Sequence, residues 1–247
     1  MTYPIRGRRR HPLRILISSG PTREPIDPVR FLSNYSTGYL GAQLAAEGLA
    51  RGHRVTVVSG PSTEPLPSGA RVIPVEQAQQ MERALRRHGQ RADVLIMAAA
   101  VSDFRPAHPR SVKLSRRRHL SLRLTVNPDI IARLPRRPKQ LVAGFALETQ
   151  QVLARARRKL REKRLDLLVA QDASRTAPFG RRKIRAWLLV RGGEVTRLSE
   201  FSKARVARVL LDKIESLWYG QVAEWSLHNG KFPCSSKPGR DSPSLNC

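Results

Sequence analysis

The sequence predicts an α/β fold, a doubly wound and mostly parallel sheet carrying a flap and a small β-hairpin extension. Three observations lead there. Short, almost wholly apolar runs recur at Leu13 to Ile17, Ala92 to Ala99, Gln140 to Leu147 and Leu165 to Ala170, as in strands buried on both faces. Segments with helical spacing separate most of these runs, which argues for parallel strands joined by right-handed crossovers, a Rossmann-like sheet. Near the end, Ile184 to Val190 and Glu194 to Leu198 flank Gly192-Gly193, a hairpin signal.

In chain order, Arg14 to Ser19 is the first strand. Ser18 to Gly41 then forms a long, irregular connection to the first helix. Compact domains join strand to helix in a handful of residues, so a loop of this length is functional or disordered. Ile26, Val29, Phe31 and Leu32 give it apolar groups to pack, which favours a binding loop. It ends in Ser36-Thr37-Gly38-Tyr39-Leu40-Gly41, a hydroxyl N-cap whose following N–H groups suit an anion.

The first helix runs from Thr37 to Arg51 and closes at Gly52. His53 to Ser59 and Arg71 to Val75 are the second and third strands. A helix from Gln77 to His88 stops at Gly89, and Ala92 to Ala99 is the fourth strand. Ser102 to Arg118 is polar, with a strand-like piece at Val112 to Leu114, and His119 to Val126 alternates as a half-exposed strand does. Asn127-Pro128-Asp129 caps a short helix with Pro in its first turn. Gln140 to Leu147, a basic helix from Gln151 to Lys163, Leu165 to Ala170, the hairpin, and an amphipathic helix from Phe201 to Trp218 complete the domain. Residues 1–12 are a basic arm, 13–218 one domain, and 219–247, rich in Ser, Pro, Lys and Asn, a disordered tail.

The 247 residues include 46 Lys and Arg against 19 Asp and Glu, a formal charge of +27. Such a chain attracts phosphates, nucleic acid and anionic membranes. Nucleic-acid binding is disfavoured, because the aromatics are few and do not interleave with basic residues. No run reaches membrane-spanning length, the start lacks an apolar signal region, and Cys234 and Cys247 lack metal-ligand spacing. The expectation is a soluble protein of a reducing cytoplasm.

In an open α/β sheet, ligands bind outside the carboxyl ends of the strands. The loops at Gly20 to Ser36, Gly60 to Ala70, Ala100 to Arg110 and after Phe145 leave such ends. No G-x-G-x-x-G follows the first strand, which disfavours a nicotinamide cofactor. The motifs SGPTREPIDPVRFLSN-YSTG, AAAVSDFRP, NPDI, GFALET and the K-x-x-x-K of the basic helix resemble, in the same order, bacterial phosphopantothenate–cysteine ligase (phosphopantothenoylcysteine synthetase). That family is the synthetase half of the bifunctional coenzyme A biosynthesis flavoprotein, and the resemblance covers Leu13 to Trp218.

The resemblance implies a two-step ligation. CTP converts the carboxylate of 4′-phosphopantothenate to an acyl-cytidylate, and L-cysteine then displaces CMP. It implies Mg²⁺ with the CTP, a homodimer, and small-molecule substrates. No flavin is expected, since no flavin-binding segment is found. By the same resemblance Asp103, Lys113, Pro128, Asp129, Ile130, Ile131, Phe145, Lys159 and Lys163 bind nucleotide. Arg30, Asn34 and Ala100 lie around phosphopantothenate and the acyl intermediate, and Asn34 and Lys113 are the catalytic positions. The residue types suit the chemistry, because attack on an α-phosphate builds negative charge that needs positioned cations and N–H donors. Lys159 and Lys163, four apart on a helix, share one face.

Each motif alone has a plain structural reading: a solvated basic face, a helix cap, a core aromatic, a turn. Their shared order favours function. Departures from the family pattern are Lys113-Leu114-Ser115-Arg116 for a lysine-rich flap, Gln171-Asp172 for Asn-Asp, and Arg181-Arg182-Lys183 after Phe179-Gly180. The first two motivate the alternative of a degenerate ligase domain that binds nucleotide without catalysis.

Overall fold

The computed structural model describes residues 11–116, 118–174 and 179–229, with backbone alone for 221–229. Eight strands form the main sheet, in the order β12-β11-β10-β9-β6-β1-β4-β5. These are β1 (Arg14–Ser19), β4 (Arg54–Ser59), β5 (Arg71–Pro74), β6 (Val94–Met97), β9 (Leu141–Glu148), β10 (Leu167–Asp172), β11 (Ile184–Val190) and β12 (Val195–Phe201). The strands from β5 to β10 are parallel. The expected hairpin, β11 and β12, adds two antiparallel strands at one edge.

From β1 the chain steps outward to β4 and β5, then returns to place β6 on the other side of β1. Its winding therefore reverses between β1 and β6, and a crevice opens at their carboxyl ends. Along β1, β4, β6, β9 and β10 side chains alternate between the two faces, and both sets are largely buried. Ile15, Ile17, Val57, Ile96 and Val169 face Leu44 of α1 (Tyr39–Ala50) and Leu210 of α5 (Lys203–Asn229). Leu16, Val58, Leu95 and Leu168 face Met81 of α2 (Ala78–Gly89) and Leu160 of α4 (Val152–Glu162). Burial on both faces is why these strands read as continuous apolar runs. Each such aliphatic side chain, fully buried, contributes about 1.5–3 kcal/mol.

The structure departs from the sequence expectations at several places. The Ser18 to Gly41 connection is not irregular. It contains a hairpin, β2 (Arg23–Asp27) and β3 (Arg30–Ser33), with Glu24 opposite Leu32. Pro25 masks this ribbon in the sequence, yet Pro is tolerated in an edge strand. Helix α1 begins at Tyr39 without a side-chain cap; its N-cap is Gly38, at a φ of 81°. The Ser36 and Thr37 hydroxyls instead accept from the Gly38 and Tyr39 N–H groups in the preceding turn.

Val112 to Leu114 is not a strand. Of His119 to Val126, only β8 (Leu124–Val126) is, and it pairs with β7 (Phe104–Pro106). Pro128 precedes α3 (Ile130–Arg133) rather than entering its first turn; Asp129 is the N-cap and accepts from the Ala132 N–H at 3.2 Å. Gly89 is the last residue of α2, not a residue beyond it. Helix α5 runs through Gly220 to Asn229, so a disordered tail does not start at residue 219. Residues 230–247 and 1–10, which include most of the expected tail and basic arm, lie outside the described residues. Among the described residues, no helix is long and apolar enough to cross a membrane.

Candidate functional site

At the switch point the backbone after β1 threads between two neighbouring loops. Gly20, at a φ of 75°, turns the chain so that Pro21 forms a bridge with Ala100. The Ala100 N–H donates to the Gly20 carbonyl at 2.9 Å, and the Gly60 N–H donates to the Ser19 carbonyl at 2.9 Å. A Cβ on Gly60 would lie 1.8 Å from the Pro21 carbonyl oxygen, so only glycine admits this approach. The Ala100 carbonyl, facing outward from this knot, accepts from the Thr22 N–H at 3.3 Å and from Asn34 Nδ2 at 3.1 Å. The predicted pair Asn34 and Ala100 is thus in direct contact, with Asn34 exposed.

Arg30 and the Lys113 segment are also brought together, through Asp27. The Asp27 side chain is wholly buried and accepts from the Val29 N–H at 2.9 Å, the Leu114 N–H at 3.1 Å and Arg30 Nη1 at 2.7 Å. Arg30 Nη1 also donates to the Leu114 carbonyl at 3.3 Å. Burial alone would raise the Asp27 carboxyl. The N–H donors of Val29 and Leu114 together with the Arg30 charge outweigh burial and hold it below the usual carboxylate range. The β2–β3 hairpin therefore pins the polar segment beside exposed Lys113.

The predicted nucleotide residues lie further along the carboxyl edge. Lys159 Nζ lies 2.6 Å from Glu148 Oε1, and Arg155 lies 3.5 Å from the other oxygen of this buried carboxylate. Lys163 Nζ lies 3.2 Å from Asp129 Oδ2. The two lysines, one turn apart with Lys163 as the C-cap of α4, are thus both held by carboxylates. An exposed pair such as Lys163–Asp129 contributes only about 0–1 kcal/mol, so exchanging partners costs little. Asp103 is exposed, and its carbonyl accepts from the Asn127 N–H at 2.7 Å. Pro128 and Ile131 are half-buried, and Ile130 is a core residue under α3.

Phe145, half-buried, lines a cleft of about 160 Å³ between the N-terminal ends of α1 and α5. Gln171 and Lys203 line the same cleft. Lys203 donates to the Gly180 carbonyl at 2.6 Å, and burial pushes its ammonium down to about 8, against a smaller opposing pull from Glu64. Sequence reasoning passed over Asp27, Glu148 and Lys203. The one available signal was scarcity: Lys203 is one of nine lysines in a chain that otherwise uses arginine.

The same chain architecture occurs in known proteins. The family described as DNA/pantothenate metabolism flavoprotein C-terminal domain matches residues 11–217. The coenzyme A biosynthesis bifunctional protein CoaBC of Vibrio vulnificus is 42% identical over 165 residues, 65% of this chain and 41% of that protein. The CoaBC protein of Mycobacterium tuberculosis (strain H37Rv) is 36% identical over 234 residues, 89% of this chain and 55% of that protein. The chain thus spans about half the length of these relatives. A crystal structure of the C-terminal domain of CoaBC superposes with a TM-score of 0.72 at 37% identity, covering 84% of this chain and 96% of that one.

Proposed function

The chain belongs to the DNA/pantothenate metabolism flavoprotein C-terminal domain family, and on that premise we propose that it joins L-cysteine to 4′-phosphopantothenate, with CTP as the activating nucleotide. The observation that carries this reading is the contact between Asn34 and Ala100 at the switch point. It places an exposed amide, able to donate to an acyl or phosphoryl oxygen and to accept from an amine, where an α/β sheet takes its ligand.

In the first step a carboxylate oxygen of phosphopantothenate attacks the α-phosphorus of CTP, and the bond to pyrophosphate breaks. In the second, the cysteine amine attacks the acyl carbon, the bond to CMP breaks, and the amine loses a proton. Lys159 and Lys163 exchange Glu148 and Asp129 for phosphate oxygens. Lys113 closes from the segment pinned by Asp27, bringing an ammonium to the charge that develops at phosphorus. Arg30, already paired with Asp27, orients phosphopantothenate from the hairpin side.

Among the described residues, no group of three His, Cys, Asp or Glu side chains is placed to hold a metal alone. Mg²⁺ fits here as an ion carried on the nucleotide phosphates, the usual arrangement for this cation, where it would neutralise phosphate charge. A cytoplasmic homodimer is part of the same reading.

The test is pyrophosphate release with each substrate omitted in turn. Release that requires phosphopantothenate, and is faster with CTP than with ATP, supports the ligase. Equal or reversed nucleotide rates overturn the CTP assignment. CTP binding without turnover supports the degenerate-domain alternative, motivated by Gln171 in the cleft.

A further inference from the structure

Lys203 opens helix α5, yet it is only 6% exposed. Its Nζ donates to the Gly180 carbonyl at 2.6 Å, which uses one of the three N–H groups of an ammonium. Glu64, the acidic side chain whose charge acts on it, is itself 3.2 Å from Arg181. A buried cation held by a neutral carbonyl is costly, and such groups concentrate where the charge has a further use.

The surroundings of Lys203 specify that use. Among the described residues, Lys203 is the sole charged one lining the cleft between α1 and α5. Its polar neighbours are the Ser36 and Thr37 hydroxyls, the Gln171 amide and the start of α1, where Gly38 offers no side-chain cap. Among the described residues, no carboxylate lines the cleft. Its volume, about 160 Å³, falls below the roughly 300–1,000 Å³ of sites that hold whole drug-sized ligands. A cation and several donors in so small a space suit a compact anion with many oxygens. Ala100, which holds Asn34, lies in the same wall, so such an anion would sit next to the reacting centre.

We propose that Lys203 is a further ligand of the nucleotide, gripping the β- and γ-phosphates that leave as pyrophosphate in the cleft between α1 and α5. Naming the anion as part of a nucleotide rests on the ligase reading; a phosphate site at Lys203 does not. Phosphate binding returns to the ammonium the counter-charge that burial removed. As the α-phosphorus–oxygen bond breaks, the same ammonium meets the growing charge of the leaving pyrophosphate.

The test is calorimetric titration of the full chain with pyrophosphate at about 0.15 M salt, where surface arginines are screened. The Lys203→Met variant should bind pyrophosphate roughly 10- to 100-fold more weakly at pH 7, the worth of one charge-assisted hydrogen bond. In the wild-type protein, the Lys203 Nζ resonance should titrate near pH 8 when free, and saturating pyrophosphate should move that titration up by a unit or more. Unchanged affinity in a folded Lys203→Met, or a titration that pyrophosphate does not move, overturns the proposal and leaves Lys203 as a clamp on Gly180. If Lys203→Met does not fold, the wild-type titration decides. Neither measurement needs turnover. A chain that binds pyrophosphate through Lys203 but never ligates would refute the ligase and keep the site.

Discussion

Replacing Gly41 with Ala tests whether the start of α1 is seated closely enough on β1 to position the cleft. A Cβ at Gly41 would lie 2.0 Å from Ser19 Oγ and 2.5 Å from Ser19 Cβ. The hydroxyl can rotate away, but the Cβ cannot, and ordinary contact begins near 3.4 Å. The helix start must therefore lift by about 0.9 Å or the strand end must yield. Overpacking of this kind costs about 1–3 kcal/mol. In a chain of this size each kcal/mol lowers Tm by about 2–4 °C, giving a drop of roughly 2–12 °C. A displacement near 1 Å at a reacting centre costs roughly 10²-fold in turnover.

Ser19→Gly removes both clashing atoms and leaves Ser19 Cα at 3.3 Å. Alone it should cost about 0.5–1 kcal/mol through backbone entropy. The double variant should be more stable and more active than Gly41→Ala, with a coupling of about 1–2 kcal/mol. Thermal melts and pyrophosphate release on the four proteins measure this. Gly41→Ala with native Tm and turnover, or strict additivity in the cycle, refutes the close seating.

Asn34→Asp turns an amide donor into an anion facing the Ala100 carbonyl and incoming phosphate. Turnover should fall about 10²- to 10³-fold, the scale of one lost transition-state donor, while Tm barely moves because the side chain is exposed; native turnover with lowered Tm would make it a turn residue only. Lys203 predicts a pH effect on stability, since its folded value is lowered to about 8 from 10.5. Below pH 8 both states carry the proton and the burial cost is fully present; between pH 8 and 10.5 the folded state sheds its proton first, so stability rises with pH. Denaturant melts of wild type against Lys203→Met should show this burial cost, on the order of 3 kcal/mol, shrinking across that window; a difference that stays flat would contradict it.

The legible parts of the fold were those whose cause is local. β1, β4, β6, β9 and β10 announce themselves because both of their faces are buried, and Gly192-Gly193 marks the hairpin at φ values of 108°. β7 was not legible: its three residues include exposed Phe104 and a proline. Its partner strand hid within an alternating run whose leucines at 120, 122 and 124 are exposed, so alternation there did not report a buried face. The last helix was expected to end at Trp218, yet α5 continues to Asn229.

The site divides in the same way. Asn34, Ala100 and the α4 lysines stand in motifs whose order carries meaning, and the structure adds their partners. Asp27 and Lys203 depend on tertiary burial: one is buried by the Lys113 segment, the other by the turn at Gly180. A carboxylate in a hairpin and a lysine at a helix start look solvated in any sequence.

The central claim is that the carboxylate of phosphopantothenate passes through an acyl-cytidylate on this chain. Phosphopantothenate labelled with ¹⁸O in its carboxylate should be incubated with CTP, cysteine and Mg²⁺, and the products weighed by mass spectrometry. If a carboxylate oxygen attacks the α-phosphorus, it becomes the bridging oxygen and departs with CMP when the amine attacks. One labelled oxygen should therefore appear in CMP and none in pyrophosphate, in step with the ligated product. Ligated product with unlabelled CMP would contradict the account.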